Sequence, residues 1–210
     1  MQATWYFDFI SPFAYMQWRR VRALAQHRVQ FVFRPILFAG LLQKHGQKGP
    51  AEIAGKREFT YRFVQWQARR DGIGLRFPPA HPFNPIAALR LCVACGSSIE
   101  SIDAIFRWIW HDGHAGDTID ALRPVARQLG IADAEAAVAD PEVRQTLMRN
   151  FDAALRDGIY GVPSVVCREQ VFWGNDATAM FEEFLDDPAL FDDPEMRRIA
   201  RLPEGVRREP

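Results

Sequence analysis

The chain has few cysteines, no excess of charge of either sign and no long apolar run. Its 210 residues include three cysteines, an odd number that does not fit a disulfide framework. Lysine and arginine together number 26, as do aspartate and glutamate, so the chain lacks the basic surplus that attracts nucleic acid or an anionic membrane. No apolar run approaches the roughly 18 residues that cross a bilayer. We therefore expect neither a nucleic-acid partner nor a membrane partner.

The cysteine count also bears on the compartment. No basic and apolar leader precedes the first predicted strand, and together with the odd cysteine count this predicts a reducing, cytoplasmic location. Hydrophobic residues make up 48% of the chain and charged residues 25%, which is typical of an ordinary globular protein. A chain of this length forms one domain or a domain with a large insertion.

Apolar segments near both ends of the chain predict strands. Residues 4–8 and 29–33 are such segments, and the helical period between them gives the order β-α-β. Near the other end, residues 164–167 and 170–173 predict an antiparallel hairpin, and the apolar stripe of residues 176–185 predicts a helix after it.

Between about residues 40 and 155 the helical period dominates and no convincing strand appears. The sequence thus predicts an α/β protein: a thioredoxin-like domain of order β-α-β … β-β-α, made of residues 1–38 and 156–187. An all-helical insertion of residues 39–155 interrupts this domain. We expect residues 188–210, rich in aspartate, proline and arginine, to form a loose tail.

Ser11 and Pro12 stand where the first strand ends and the first helix begins. A helix N-terminus concentrates unpaired N–H groups and partial positive charge, which stabilise a bound anion or thiolate. In the predicted fold the turn after the first strand lies beside the loop before the third, so Ser11 meets Val162 and Pro163. The simpler alternative is a helix cap, with Ser11 as N-cap and proline in the first turn.

Five short motifs, in this order, resemble the family of kappa-class glutathione transferases and 2-hydroxychromene-2-carboxylate isomerases, a branch of the disulfide-oxidoreductase-like thioredoxin fold. The resemblance covers about residues 3 to 187. Its motifs are Phe7-Asp8-Phe9-Ile10-Ser11-Pro12-Phe13-Ala14-Tyr15, Arg34-Pro35, Gly46-Gln47-Lys48-Gly49-Pro50, Gly161-Val162-Pro163 and Phe172-Trp173-Gly174-Asn175-Asp176.

The resemblance implies a role for Ser11. Ser11 and Ala14 take the places of the two cysteines of the oxidoreductase motif, so dithiol chemistry is excluded at this turn. The Ser11 hydroxyl instead donates a hydrogen bond to the sulfur of bound glutathione and favours its thiolate. Pro12 and Phe13, at the same helix start, are assigned to the glutathione site.

The family also implies contacts along the length of glutathione. Its loop proline is cis, and here the backbone of Val162, before Pro163, would pair with the cysteinyl unit as in strand addition. Asn175 and Asp176 match the pair that binds the γ-glutamyl end. Gln47 stands where the family usually has asparagine and is assigned to the glycyl arm.

Basic residues surround Gln47 in the sequence. Lys44, Lys56 and Arg57 are candidates for the carboxylates of an organic-acid substrate or of glutathione, as is Lys48. The sequence does not choose among them.

The resemblance predicts a glutathione-dependent isomerase of the 2-hydroxychromene-2-carboxylate isomerase type. It would act on an aromatic or unsaturated 2-oxo acid by reversible addition of thiolate. One alternative is a kappa-like transferase that leaves glutathione on its product. Another is a non-catalytic module that binds peptides. Relatives of this kind are commonly homodimers, and we expect one here.

Other clusters invite different interpretations. Cys92 and Cys95 lie near the end of an apolar helical segment instead of at a helix start, so we interpret them as inert buried thiols. His111 and His114 lie in a glycine-containing loop with no third ligand at suitable spacing, so we predict no metal site.

One helical segment of the insertion is rich in aromatic residues. Phe59, Tyr61, Phe63 and Trp66 fall within it, and we expect them to form the core of the insertion instead of a substrate wall.

Overall fold

A computed structural model describes residues 1–206 of the chain. Its strands are β1 (Gln2–Phe7), β2 (Gln30–Pro35), β3 (Ser164–Cys167) and β4 (Gln170–Trp173). They form a sheet of order β2-β1-β3-β4, in which β1 runs parallel to β2 and antiparallel to β3. β3 and β4 pair as an antiparallel hairpin. The predicted α/β fold, with its β-α-β and β-β-α halves, is confirmed.

The helices follow the predicted distribution. α1 (Pro12–His27) connects β1 to β2 and α9 (Thr178–Asp186) follows β4. Those between β2 and β3 are α2 (Phe38–Lys44), α3 (Lys56–Arg70), α4 (Ile86–Ala94), α5 (Ile99–Phe106), α6 (Ile119–Gln128), α7 (Ala134–Ala139) and α8 (Pro141–Arg156). None of the helices within residues 1–206 combines the length and apolar character needed to cross a membrane.

Both faces of the sheet are covered. Because side chains alternate along a strand, Trp5 and Phe7 of β1 face the larger core, where Trp5 stacks on Trp18 of α1 with ring centroids 5.3 Å apart. Tyr6 points to the opposite face and a smaller core. The other buried members of that core are Ile36, Leu41, Ala154, Ile159 and Val162. The site described below lies at the edge of a sheet held from both sides.

Three local predictions need correction. β2 continues through Pro35, which pairs with Phe7, because an edge strand tolerates a residue without an N–H. α9 begins at Thr178 instead of residue 176. The predicted loose tail is wrong for residues 190–199, which form a short 3-10 helix and α10 (Pro194–Ile199).

A ring contact explains the order in that last segment. Phe191 lies 5.6 Å from Phe184 and 5.9 Å from Phe172, measured between ring centroids. It therefore extends the larger core beyond α9. Residues 207–210 of the predicted tail lie outside the described residues, and the domain limits at 38, 155 and 187 stay predictions.

A buried glutamine joins the two halves of the sheet domain, and its removal should be costly. Gln17 accepts from Trp5 Nε1 (2.7 Å) and donates to the Gly174 carbonyl (2.9 Å) and Thr178 Oγ1 (3.0 Å). Gln17→Ala leaves buried polar groups unpaired, so we expect the free energy of unfolding to fall by about 3 kcal/mol. Urea unfolding measures this. The exposed control Gln128→Ala should change it by less than about 0.5 kcal/mol, and an equal effect of both variants would contradict this role of Gln17.

Candidate functional site

Strand pairing brings separate parts of the chain to the carboxyl end of β1. Tyr6 pairs with Ser164, so the turn that follows β1 lies beside the loop that precedes β3. The Gly174 N–H donates to the Pro163 carbonyl (2.8 Å), which adds the loop after β4. On the other side, the Ile36 N–H donates to the Phe7 carbonyl (2.9 Å) and adds the segment leading into α2.

A cleft of about 1090 Å³ opens at this edge. Ser11 lines it, together with every residue assigned to glutathione from the sequence: Pro12, Phe13, Gln47, Val162, Pro163, Asn175 and Asp176. The predicted meeting of Ser11 with the Val162–Pro163 loop is thus found in the structure. Which residues bind a ligand there stays a prediction.

Ser11 is the N-cap of α1. Its Oγ accepts a hydrogen bond from the Ala14 N–H (3.2 Å), and Pro12 is the first helical residue. The side chain is 7% exposed, and its oxygen, while capping, keeps an O–H that it can donate. The capping alternative and the proposed anion role are therefore compatible in one side chain.

The loop before β3 presents backbone to the cleft. The Val162–Pro163 bond is cis, as the resemblance implied. Within residues 1–206, neither the N–H nor the carbonyl of Val162 hydrogen-bonds to another residue. An unpaired donor and acceptor on one residue suit a short antiparallel bridge with a bound peptide-like molecule.

Asn175 and Asp176 do not cap the helix that follows them. The residue in the N-cap position of α9 is Ala177, and no side chain caps it. The Asn175 carbonyl accepts from Thr178 Oγ1 (2.6 Å), which fixes the loop through its backbone. Among the described residues, neither the Asn175 nor the Asp176 side chain makes a hydrogen bond or ion pair, so both are available to a ligand.

The basic candidates separate into two groups. The sequence contains three lysines, all between residues 44 and 56. Lys48 and Lys56 line the cleft, and Lys44, at the exposed end of α2, does not. Arg57 also lies outside the lining, but its guanidinium donates to the backbone carbonyl of His81 (2.6 Å), a residue of the cleft wall.

Asp8 also lines the cleft, although no role was predicted for it. It is wholly buried, and its two oxygens accept from the N–H groups of Phe38 (2.8 Å) and Ile10 (3.1 Å). Burial raises the pKa of this carboxyl to about 7, although the backbone N–H donors oppose the shift. Its place in the Phe-Asp-Phe segment just before Ser11 was the available sequence signal.

The helical insertion contributes a pair of hydrogen-bonded side chains to the cleft lining, for which no such pairing was predicted. Tyr61 Oη lies 2.6 Å from His81 Nδ1, and both residues line the cleft. Burial lowers the pKa of His81. The available signal was a histidine inside a proline-rich turn, close in the chain to an aromatic helix.

The aromatic residues of α3 are not the core that we expected. Phe59 is 66% exposed and Trp66 54% exposed, and Phe63 between them lines the cleft. Their rings stack along the helix, with centroids 5.8 Å and 5.9 Å apart. We call Phe59, Phe63 and Trp66 the aromatic ladder. A helical stripe predicts a shared face, and here part of that face borders the cleft.

The cysteine and histidine pairs lie outside the cleft lining. Cys92 is buried, and burial raises its pKa to about 12. Burial also raises the pKa of Cys95, so neither thiol is activated. His111 contacts Asp112 (2.6 Å), whereas His114 stacks on a tryptophan. Within residues 1–206 there is no cluster of three or more side chains of the metal-ligating types.

Comparison with known proteins gives concordant results. The DsbA-like thioredoxin domain family matches residues 3–186. A 2-hydroxychromene-2-carboxylate isomerase of Sphingobium xenophagum is 27% identical over 189 residues, which cover 87% of this chain and 96% of that protein. Glutathione S-transferase kappa 2 of Caenorhabditis elegans is 24% identical over 206 residues, with 87% and 91% covered. A solved structure of a 2-hydroxychromene-2-carboxylate isomerase superposes with a TM-score of 0.79 at 23% identity, covering 97% of this chain and all of that one. The chain is therefore similar to enzymes named as isomerases and glutathione transferases.

The titration of Asp8 should appear in the stability of the protein. Its pKa is about 7 in the native state and near the ordinary value of 3.8 when unfolded, so its stabilising contribution is present below the lower value and lost as pH rises through the higher one. Asp8→Asn cannot titrate. We expect the stability of the wild type relative to Asp8→Asn to fall between about pH 5 and about pH 8.

Urea unfolding of both proteins at the two pH values measures this difference. Asn presents an NH₂ toward one of the backbone donors, so the variant is less stable overall, and the prediction concerns only the change with pH. Asp117→Asn, at an exposed position, is the control. A wild-type advantage over Asp8→Asn that stays constant with pH would contradict the assigned pKa.

Proposed function

The chain belongs to the DsbA-like thioredoxin domain family, and we propose that it is a glutathione-dependent isomerase of the 2-hydroxychromene-2-carboxylate isomerase type. The observation that carries the proposal is the single cleft shared by Ser11, the unpaired backbone of Val162 and the unpaired side chains of Asn175 and Asp176. The position that carries a thiol in the oxidoreductases holds a hydroxyl. A ligand that carries a thiol would supply the sulfur that is absent at this position.

The polar groups of the cleft fit a tripeptide with charged ends. Val162 offers a backbone donor and acceptor for the central cysteinyl unit, and Asp176 offers a carboxylate for an ammonium group. Asn175 and Gln47 add amides that can meet carboxylates. When bound, glutathione supplies a thiolate nucleophile for addition to a conjugated carbon and for later expulsion.

Ser11 holds the sulfur of bound glutathione in its charged form. Its O–H donates to the sulfur while its oxygen keeps the capping bond to Ala14. A hydrogen bond to the charged form lowers the pKa of an acid, and the N-terminus of α1 contributes positive potential at the same place. Both effects raise the fraction of thiolate near neutral pH.

The substrate side of the cleft suits an aromatic acid. Lys48 and Lys56 lie on the lining and place positive charge where a substrate carboxylate can approach. Phe63 and Phe83 add aromatic surface to the same cleft. An aromatic or unsaturated 2-oxo acid combines these two requirements.

Replacing Ser11 tests the thiolate role. In Ser11→Ala we expect the pKa of the bound glutathione thiol to rise by about 1 or more, because the charged sulfur loses its hydrogen bond. Thiolate absorbance of the complex, followed against pH, measures this pKa, and calorimetry measures glutathione affinity.

The matched control is Ser98→Ala. Ser98 caps α5 at the same distance, its Oγ accepting from the Ser101 N–H at 3.2 Å, so both variants lose a cap worth about 1 kcal/mol. A thiol pKa that is the same in Ser11→Ala, Ser98→Ala and the wild type would contradict the role of Ser11.

The lysines allow a second test. Lys56→Met removes a positive charge from the cleft lining, and we expect KM for a carboxylate substrate to rise about tenfold with a smaller change in kcat. Lys44→Met removes the same charge outside the lining and should leave KM within about twofold. An equal rise of KM in both variants would mean that the lysines attract the substrate by their general positive charge, and that Lys56 does not bind its carboxylate.

Product mass separates the proposed isomerase from a kappa-like transferase. The isomerase returns the mass of its substrate, whereas a transferase adds the mass of the tripeptide. The similarity to a glutathione transferase of the kappa class supports the transferase as the second candidate function. A peptide-binding module would show no saturation by glutathione.

The proposal extends to the oligomeric state of the protein and to its cellular compartment. We expect a homodimer, and the aromatic ladder of α3 is an exposed apolar surface of the kind that subunit contacts cover. We expect the cytoplasm because the three cysteines are free thiols, as in a reducing compartment.

A further inference from the structure

The hydrogen bonds around His81 fix the positions of its protons. His81 Nε2 lies 2.8 Å from the backbone carbonyl of Ile10, which can only accept, so Nε2 carries the hydrogen. The neutral ring then has a lone pair on Nδ1, directed at Tyr61 Oη at 2.6 Å. Two lone pairs at that distance would repel, so the Tyr61 hydroxyl donates to Nδ1.

The Tyr61 hydroxyl has a second acceptor within reach. The His81 carbonyl lies 2.8 Å from Tyr61 Oη and also accepts from the Arg57 guanidinium at 2.6 Å, so the Tyr61 hydrogen can turn to either acceptor, of which Nδ1 is the nearer. Arg57 Nε also donates to Tyr61 Oη (3.2 Å), which occupies one lone pair of the hydroxyl oxygen. The second lone pair of Tyr61 is left for a molecule in the cleft.

Packing holds the imidazole in place. Its ring meets Trp110 and Phe83 with centroids 5.5 Å and 6.2 Å away. Within residues 1–206, Arg57 and Tyr61 of α3 are the charged or titratable groups that interact with it, and from the β1–α1 turn it meets the Ile10 carbonyl. Ile10 directly precedes Ser11, so this contact places the histidine beside the β1–α1 turn.

The geometry points to Tyr61, with His81 behind it, as the group that accepts a proton from the hydroxyl of a cyclic 2-hydroxy-2-carboxylate substrate and so opens its ring. Tyr61 would touch the substrate and act as a catalytic residue, and His81 would act through it. This inference rests on the proposed function. It adds a proton-transfer site to the cleft, separate from Ser11.

The step balances within the substrate and these two side chains. The substrate O–H proton passes to the Tyr61 oxygen as the Tyr61 proton passes to His81 Nδ1. The electron pair left by the O–H bond forms the C=O of the 2-oxo acid, and the ring C–O bond breaks with its pair on the phenolic oxygen. That oxygen then receives the proton back from His81 through Tyr61. No external acid, base or oxidant is consumed.

Before the reaction His81 can accept a proton at Nδ1. Burial, and to a lesser extent the charge of Arg57, lower its pKa, so the ring is neutral at neutral pH. Activity should therefore fall as pH drops through the pKa of His81, below its usual value of 6.5.

The test compares variants on 2-hydroxychromene-2-carboxylate, with ring opening followed by absorbance at saturating glutathione across pH. We expect Tyr61→Phe to lower kcat about hundredfold and to remove the low-pH limb. His81→Gln, which keeps an N–H donor for Ile10 but has no titrating nitrogen, should do the same. Calorimetry should show unchanged glutathione affinity in both.

Tyr15→Phe is the matched control. It removes another half-buried tyrosine hydroxyl that donates to a backbone carbonyl, that of Gly74, and Tyr15 lies outside the cleft lining. It should keep both the wild-type kcat and the low-pH limb.

Three results would overturn the assignment in distinguishable ways. Wild-type kcat and pH profile in Tyr61→Phe would remove the relay and leave the proposed function intact. Loss of activity together with loss of glutathione affinity would make Tyr61 a structural support of the cleft. A wild type without glutathione-dependent turnover would remove both proposals, since the relay would have no reaction to serve.

Discussion

The central position of β1 is the constraint on which the cleft depends. A strand has two hydrogen-bonding edges, and those of β1 are taken by β2 in parallel and β3 in antiparallel register. The carboxyl end of β1 therefore lies beside the end of β2 and the start of β3. The segments that carry Ser11, Val162–Pro163 and Gly174 emerge from these strand ends or are hydrogen-bonded to such a segment, so this part of the cleft follows from the sheet.

The meeting of these segments at the end of β1 requires a buried carboxyl group, that of Asp8. The N–H groups of Ile10 and Phe38 both point at the carboxyl end of β1, and two separate acceptor oxygens are needed to satisfy them. A carboxylate supplies both, whereas an amide side chain supplies one acceptor and a competing donor. The position thus requires a carboxyl despite its burial, and the raised pKa is the consequence. A group that titrates near neutrality lies behind Ser11 for structural reasons alone.

The parts of the site predicted from the sequence are those that local patterns determine. Apolar periodicity located the strands, and the fold order then brought Ser11 to Val162 and Pro163. The start of α9 was predicted two residues early, at residue 176, because residues that favour a helix start also favour a turn, and the turn of Asn175 and Asp176 ends before α9 begins.

The part of the cleft lining that α3 and the turn around His81 contribute was not predicted, for a different reason. Aromatic residues at helical spacing predict a common face, but they do not tell whether that face packs inside the insertion or borders a cleft. For α3, this depends on how the proline-rich turn around His81 docks beside Ile10, a contact between segments about 70 residues apart. Neither periodicity nor motif order contains that information, so Tyr61 was assigned to the core of the insertion and His81 was given no role.

The proposed reaction makes two electrostatic demands on the cleft. A thiolate is stabilised by donors and positive potential, which the Ser11 hydroxyl and the N-terminus of α1 provide. A proton acceptor must itself stay neutral, and burial, together with the charge of Arg57, lowers the pKa of His81 and disfavours its protonated form. One shared group could not meet both demands, because the Ser11 oxygen already accepts from the Ala14 N–H and its O–H is needed for the sulfur, so the proton acceptor has to be a different group. The proposal therefore places the donor at Ser11 and the acceptor at Tyr61 and His81, and the hydrogen bond between His81 Nε2 and the Ile10 carbonyl (2.8 Å) holds both groups in one cleft.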